Sequence, residues 1–412
     1  MDSKISPFSA LKEKPFRNYL VGAFLSETGT QMQTVAVAWQ VYEMTHNPAS
    51  LGLIGLANLI PILLFSLFGG VVADKVDRKK LLIVSQTAMA LLALCFFALT
   101  TTKIINPLII YTLLVFVSIA QSFSLPARQS VLPHLVSKEK FMNAVSLHTL
   151  QMQSATMIGP AIAGFLIAGI GVSAVYFLNA VSFIFFIGAV ISLKVSLQKH
   201  DGDEVALNWA SVMEGIHFVT KTPILYMTMI LDFLATFFGT ATILMPIFAK
   251  DILHVGPQGL GFLYAAPAIG GVFAGLLISA LHHKIKHQGW AIFGSIILYG
   301  LATIGFGFSK FFPLSIFFLI LVGFGDMVST IIRNTIRQLI TPDHLRGRMA
   351  SVMRIFFQGG PQLGEVEAGF LAKAIGGPAS VVIGGVGVVI ITSLLMWKNK
   401  SLRNYHGKDL AV

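Results

Sequence analysis

The chain is short of charge, of acids most of all, and almost free of cysteine. Asp, Glu, Lys and Arg make up 11% of its 412 residues, where an ordinary soluble protein carries about 25%. So little charge cannot keep a soluble surface hydrated, which excludes a soluble multi-domain enzyme and a disordered scaffold. Cys95, the single cysteine, excludes a disulfide framework and a thiolate-held metal. The first 16 residues hold no apolar stretch, and Glu27, Thr30, Gln31 and Gln33 interrupt the segment before Ala36-Val37-Ala38. A cleaved secretory signal is therefore not expected, and the first span should stay in the mature protein. Gly-x-Ser-x-Gly, His-Glu-x-x-His and the phosphate-binding Gly-x4-Gly-Lys pattern are all missing.

What is present is hydrocarbon: 55% of residues are hydrophobic, with 33 Phe, 38 Gly and a mean hydropathy of +0.78. Twelve apolar runs are each long enough to cross a bilayer, near 17–42, 50–73, 80–101, 106–125, 145–169, 172–194, 224–248, 258–281, 289–308, 313–334, 350–374 and 378–397. Long unbroken runs, rather than short alternating ones, predict helices, because lipid offers backbone groups no water to bond. With the N-terminus inside, only Lys103, Lys250, Lys310 and Lys373 fall in outer loops, and the other 25 of the 29 Lys and Arg fall inside. That asymmetry predicts both termini in the cytoplasm. The net charge of +11 then sets topology, and no nucleic-acid partner is expected.

The sequence carries an internal echo. Arg128-Gln129 with Pro133 recurs as Arg337-Gln338 with Pro342, and Gly159 with Ala163-Gly164-Phe165-Leu166 recurs as Gly364 with Ala368-Gly369-Phe370-Leu371. The shift is about half the chain, which predicts a duplication of a six-span unit. We expect an N-terminal bundle over 1–194, a cytoplasmic linker with an amphipathic segment over 195–222, and a C-terminal bundle over 223–412. Paired repeats with a site near the midplane are how many secondary transporters are built.

The loop after the second span reads Gly70-Val71-Val72-Ala73-Asp74-Lys75-Val76-Asp77-Arg78-Lys79-Lys80. It resembles the cytoplasmic signature of the major facilitator superfamily. Asp77 stands where that pattern has its second glycine, and the basic cluster is shifted by about one position. Physically, Gly70 permits close helix approach, Asp74 can accept from a neighbouring helix end, and Lys75, Arg78, Lys79 and Lys80 can bridge two halves as a gate. Gly159-Pro160 with Gly164 is similar to the Gly-Pro-rich motif of that superfamily's exporters. Pro126-Ala127-Arg128-Gln129 with Pro133, and the second-half loop with Arg337, Arg346 and Arg348, resemble those of twelve-span bacterial drug and siderophore exporters. The resemblance implies an all-α integral membrane fold of twelve transmembrane helices in two pseudo-symmetric six-helix bundles. It also implies a monomer in the bacterial plasma (inner) membrane, with spans one, four, seven and ten around a central cavity.

Five acids sit inside predicted spans with no Lys or Arg equally deep: Glu27, Asp232, Asp326, Glu365 and Glu367. A charge at the bilayer centre costs at least ~2.5–3.5 kcal/mol. These carboxylates must therefore meet a wet cavity, a cation or a proton, which makes them the candidates for proton coupling or for a cationic substrate group. Gln31, Asn58 and Gln151 are candidate polar residues of the same cavity. The expected activity is proton-coupled antiport, exporting a small amphiphilic drug or siderophore by alternating access. No cofactor and no metal is expected; the proton gradient supplies the energy. A lysophospholipid or other amphiphile flippase, or an importer, would use the same scaffold. Gly323-Phe324-Gly325-Asp326 also matches the Gly-x-Gly-Asp pattern of intramembrane aspartyl proteases, with Asp232 as the required second acid.

Overall fold

A computed structural model describes residues 8–193, 209–240, 242–281, 287–342 and 345–406. Within these segments the side chains of 66–71, 73–75, 129–130, 209–212, 215, 346–348, 350–352, 354–356 and 358 are left aside. Among the described residues no β-strand forms; an isolated bridge between His287 and His406 is the one β-type pairing. The long helices are α1 (Lys14–Thr45), α2 (Pro48–Lys75), α3 (Arg78–Thr101), α4 (Pro107–Val131), α5 (Phe141–Gly169) and α6 (Val172–Ile191). After the short α7 (Trp209–Lys221) come α8 (Pro223–Gly239), the single turn α9 (Met245–Ile247), α10 (Gly256–Leu281), α11 (Gln288–Phe308), α12 (Phe312–Ile340), α13 (Arg346–Ile375), α14 (Gly377–Lys398) and the terminal turn α15 (Lys400–Arg403).

Ten helical segments among the described residues are long and apolar enough to span a bilayer. Helices α1 and α13 are longer than most of these but carry the polar residues Glu27, Gln31, Gln33, Gln362, Glu365 and Glu367. Counting those two gives the twelve spans that the sequence predicts. The boundaries follow local chemistry. Asp77 caps α3 by accepting from the Lys79 amide at 2.8 Å. Asn106 caps α4 by accepting from Ile109 at 3.0 Å, with Pro107 at the first helical position.

Helix α8 is broken. It ends at Gly239, Thr240 turns extended, and the chain resumes as a 3₁₀ turn (Thr242–Leu244), α9 and a π turn (Phe248–Ile252). The seventh predicted span is thus a discontinuous helix, a form that transporters tolerate where the backbone lines a cavity.

The chain divides into two compact units. The first comprises residues Met1–Met44 and Ile60–Ala206; the second comprises Thr45–Leu59 and Leu207–Val412, so the opening half of α2 clusters with the second. The first unit has a core of Phe16, Tyr19, Leu82, Ala127, Phe186 and Val190. The second has a core of Leu231, Ile292, Phe293, Ile296, Ile332 and Ile336.

In the second unit, close backbone contact holds α10 against α12. A Cβ at Gly323 would overlap the Pro267 carbonyl, and one at Gly270 would overlap the Ile320 carbonyl. Helices meet this tightly only through residues without side chains. We expect Gly323→Val to lower stability by ~1–3 kcal/mol through overpacking. Gly275→Ala on the same α10, where nothing lies within 4 Å, should be silent. Thermal unfolding of both variants in detergent checks this; equal midpoints would refute the contact.

The first half of the predicted linker, residues 195–208, lies outside the described residues. Its amphipathic segment does form a helix, α7, with Met213 and Ile216 exposed and Val219 buried.

Candidate polar sites within the two units

In the first unit, helix α4 continues past the apolar run and carries Arg128 into the bundle. Its guanidinium lies 3.5 Å from the Glu27 carboxylate of α1. It also donates to Ser26 Oγ at 3.1 Å and to Gln86 Oε1 at 3.2 Å, and it stacks on the Phe186 ring at 4.5 Å. Gln31 donates to Glu27 at 3.2 Å, one helical turn on. Gln86 in turn donates to Ser124 at 2.7 Å. Glu27 is therefore a paired acid, not an unaccompanied one. Helix α5 reaches α1 at Gly159, where a Cβ would lie 2.7 Å from Gln31 Cβ and 2.8 Å from the Thr28 carbonyl. The glycine of the predicted exporter motif thus sets the contact that brings α5 onto the polar face of α1, with Pro160 and Gly164 buried beside it. Gln151 of α5 is buried, and its Nε2 has no hydrogen-bond partner. Gln33 is tied instead to Asn179 at 2.7 Å as a structural bond.

The Glu27–Arg128 pair is partly exposed, so its energy is modest. A double-mutant cycle with Glu27→Gln and Arg128→Gln should give a coupling of about 0.5–1 kcal/mol in stability. Additive losses would mean that the two side chains do not interact.

The second unit repeats the arrangement more deeply. Asp232 of α8 is ion-paired with Arg333 of α12, and Arg337 lies 4.0 Å from its other oxygen. Asp232, Arg333 and Arg337 are all buried, with Arg333 only 2% exposed. Arg337 also donates to the Thr228 carbonyl at 3.1 Å and to Asn334 at 3.2 Å, and stacks on Phe357 at 4.6 Å. This corrects the sequence reading that no basic residue lies as deep as the acids. Arg128, Arg333 and Arg337 look like loop residues in sequence, yet α4 runs to Val131 and α12 to Ile340. Asp232 is locked to arginine, which also removes it as the second acid of an aspartyl protease.

Asp326 is different. It lies at the midpoint of α12, a helix of 29 residues, and is nonetheless exposed, because it opens into an internal cavity. The cavity measures about 210 Å³ and sits within the second unit, at the break in α8. Its polar lining is Asp326, Glu365, Tyr299 and threonines 236, 240, 242 and 303; Pro267, Phe306 and Leu319 supply apolar wall. Among the described residues neither carboxylate has an ion-pair partner. Arg333, seven residues along α12, is already engaged by Asp232. Three of the four lining threonines spend their hydroxyl protons on backbone carbonyls: Thr236 donates to the Asp232 carbonyl at 2.8 Å, Thr303 to the Tyr299 carbonyl at 2.9 Å, and Thr240 to the Thr236 carbonyl. Glycine sets the helix contacts beside the cavity: Gly325 brings α12 against Ser295 of α11, and Gly360 brings α13 against Thr236. Glu367 is half-buried and does not line this cavity. Asn58 belongs to the α2 segment grouped with the second unit and does not line it either.

Of the predicted gate, Gly70, Asp74 and Lys75 lie among the side chains left aside, as do Arg346 and Arg348 of the second-half loop. Two of the remaining three have identifiable partners. Lys79 donates to the carbonyls of Ile191 and Leu193 at 2.9 and 2.6 Å, closing the end of α6. Arg78 meets His134 at 3.5 Å, and Lys80 is exposed.

Comparison with known proteins agrees with this architecture. The family model of the major facilitator type described as "Transmembrane secretion effector" matches residues 5–411. The enterobactin exporter EntS of Citrobacter koseri is 27% identical over 400 residues, spanning 96% of this chain and 95% of that protein. Among solved structures, a variant of the nucleoside transporter NupG superposes with a TM-score of 0.76 at 12% identity, covering 94% of this chain and all of that one. A bacterial homologue of the lysosomal transporter Spinster, inward-facing and occupied, gives a TM-score of 0.74 at 13% identity over 96% and 99% of the two chains. With helices that span the bilayer many times, the major facilitator fold and a family match over nearly its whole length, the chain belongs to the transmembrane secretion effectors of the major facilitator superfamily, which are membrane transporters and not enzymes.

Proposed function

We propose that this protein is a proton-coupled exporter of the bacterial inner membrane, with both termini cytoplasmic, that expels a small amphiphilic compound by alternating access. The observation that carries the reading is the cavity with two carboxylates, Asp326 and Glu365, that have no ion-pair partner among the described residues and stand at the middle of long helices. Charge there costs at least ~2.5–3.5 kcal/mol per group unless something neutralises it. A proton can do so in one state and a substrate in the other, and that exchange is antiport. The similarity to enterobactin exporters supports export as the direction and keeps siderophores among the candidate cargoes. No cofactor enters the scheme. Flipping of a lysophospholipid, or import, would use the same helices without this exchange.

Everted membrane vesicles test the reading. An inside-acid gradient should drive accumulation of the substrate, and collapsing the gradient with a protonophore should stop it. Uptake indifferent to the gradient would replace the antiporter with a facilitator.

A further inference from the structure

The polar lining of the cavity in the second unit is weighted towards acceptors and carries two carboxylates, and that specifies the charge of its guest. Three features supply hydrogen-bond acceptors. Among the described residues, Asp326 and Glu365 present carboxylates with no cation of their own. Thr236, Thr240 and Thr303 have given their hydroxyl protons to backbone carbonyls, so the oxygen of each turns only lone pairs to other partners. The broken helix α8 ends at Gly239 on the cavity wall, and a helix C-terminus carries the negative end of the macrodipole. Among the described lining side chains, Tyr299 and Thr242 keep a hydroxyl donor. The remaining wall, with Pro267, Phe306 and Leu319, is apolar.

We propose that this cavity is a receptor for a protonated organic amine, which makes the exported compound a small amphiphilic cation. The inference rests on the exporter reading above and narrows its substrate class. An ammonium group carries donors only, and so matches a wall of acceptors. Charge-assisted bonds to carboxylates are also the strong ones. A siderophore whose iron-binding groups are neutral or anionic oxygens brings no positive charge to answer the two carboxylates. A bare metal ion is a poor match for the size: about 210 Å³ is the share of roughly seven waters. The apolar wall would also go unused. An alkylammonium of six or so carbons fills both poles.

The test is equilibrium binding to the full-length protein in lipid nanodiscs at pH 7, without any gradient. The probes are hexylammonium, 1-hexanol and hexanoate, equal in chain length and different in charge. Hexylammonium should bind about tenfold to a hundredfold more tightly than hexanol, the range for a hydrogen bond to a charged group, and hexanoate should not bind. Asp326→Asn should remove the preference for the amine and leave the binding of hexanol unchanged. Thr303→Val, which removes an acceptor without touching a charge, should weaken the amine several-fold and serves if Asp326→Asn fails to fold. Equal affinity for the three probes, displacement of the amine by an equal concentration of sodium, or an unaltered preference in both variants would overturn the proposal. Because no gradient is present, loss of amine selectivity alongside gradient-driven export of another compound would sink the inference and spare the exporter. Amine selectivity without gradient-driven export would do the reverse.

Discussion

Asp326→Asn is expected to reduce gradient-driven export to the level of passive leak, a loss on the order of a hundredfold, the scale of a removed proton-transfer group. Stability should hardly change. Asp326 has no ion-pair partner among the described residues, so its replacement strands no charge. The neutral amide also removes a group that costs at least ~2.5–3.5 kcal/mol when charged at the bilayer centre. Folding, insertion and thermal midpoint should therefore match the parent protein, with any difference favouring the variant. Glu365→Gln should act in the same direction, because both carboxylates line one cavity. The measurement is initial export rate in everted vesicles, beside the unfolding midpoint of the same preparation. Export at parental rate in both variants would remove this cavity from the mechanism. A collapse of stability in Asp326→Asn would recast Asp326 as a structural acid.

Asp232→Ala should give the opposite signature. Its carboxylate neutralises Arg333 and helps to neutralise Arg337, and all three groups are buried. Removing one partner of a buried ion pair leaves a charge with neither water nor counter-ion, at a cost of about 3–5 kcal/mol. Much of the protein should then fail to fold or be recovered with a sharply lower midpoint. Joint replacement, Asp232→Leu with Arg333→Met, should recover more than half of the loss, because an apolar pair of similar volume has no desolvation penalty. A double variant no better than Asp232→Ala would show that the pair is not the source of the effect. Unchanged stability in Asp232→Ala would mean that water or another acid reaches Arg333.

The two acids illustrate what the sequence could and could not say. Both read alike, as carboxylates inside apolar runs, and hydropathy gives no means of telling them apart. Their difference lies in partners that come from other helices. Arg128, Arg333 and Arg337 stand at the ends of apolar runs, where positive charge ordinarily marks the membrane boundary. The helices in fact continue for one to two turns beyond the apolar stretch and turn these side chains inward. One signal was available. The shift of 205 that relates Gly159 to Gly364 also places Glu27 on Asp232 and Arg128 on Arg333, so a duplicated acid–arginine pair is written into the repeat. The twelve helices were legible because lipid forces long apolar runs into helical form. The break in α8 was not legible: Gly239-Thr240 lies inside a run with no proline at the break and no charge. The cavity depends on that break together with glycine contacts among α8, α11, α12 and α13, and such contacts are a property of packing rather than of local pattern. Gly159 was legible as a site of close helix approach, but the surface it packs against, the Gln31 face of α1, appears only in the fold.

On the proposed mechanism, acids held by arginine maintain the fold, whereas acids facing open space exchange a proton for a guest. Proton release on ligand addition measures that exchange directly. Purified protein in weakly buffered detergent solution near pH 7, with a pH-indicating dye, is mixed with hexylammonium. The account predicts a stoichiometric burst of protons from the parent protein and from Gly275→Ala, and none from Asp326→Asn combined with Glu365→Gln. A burst of equal size from the doubly substituted protein, or hexylammonium binding to the parent with no proton released, would contradict it.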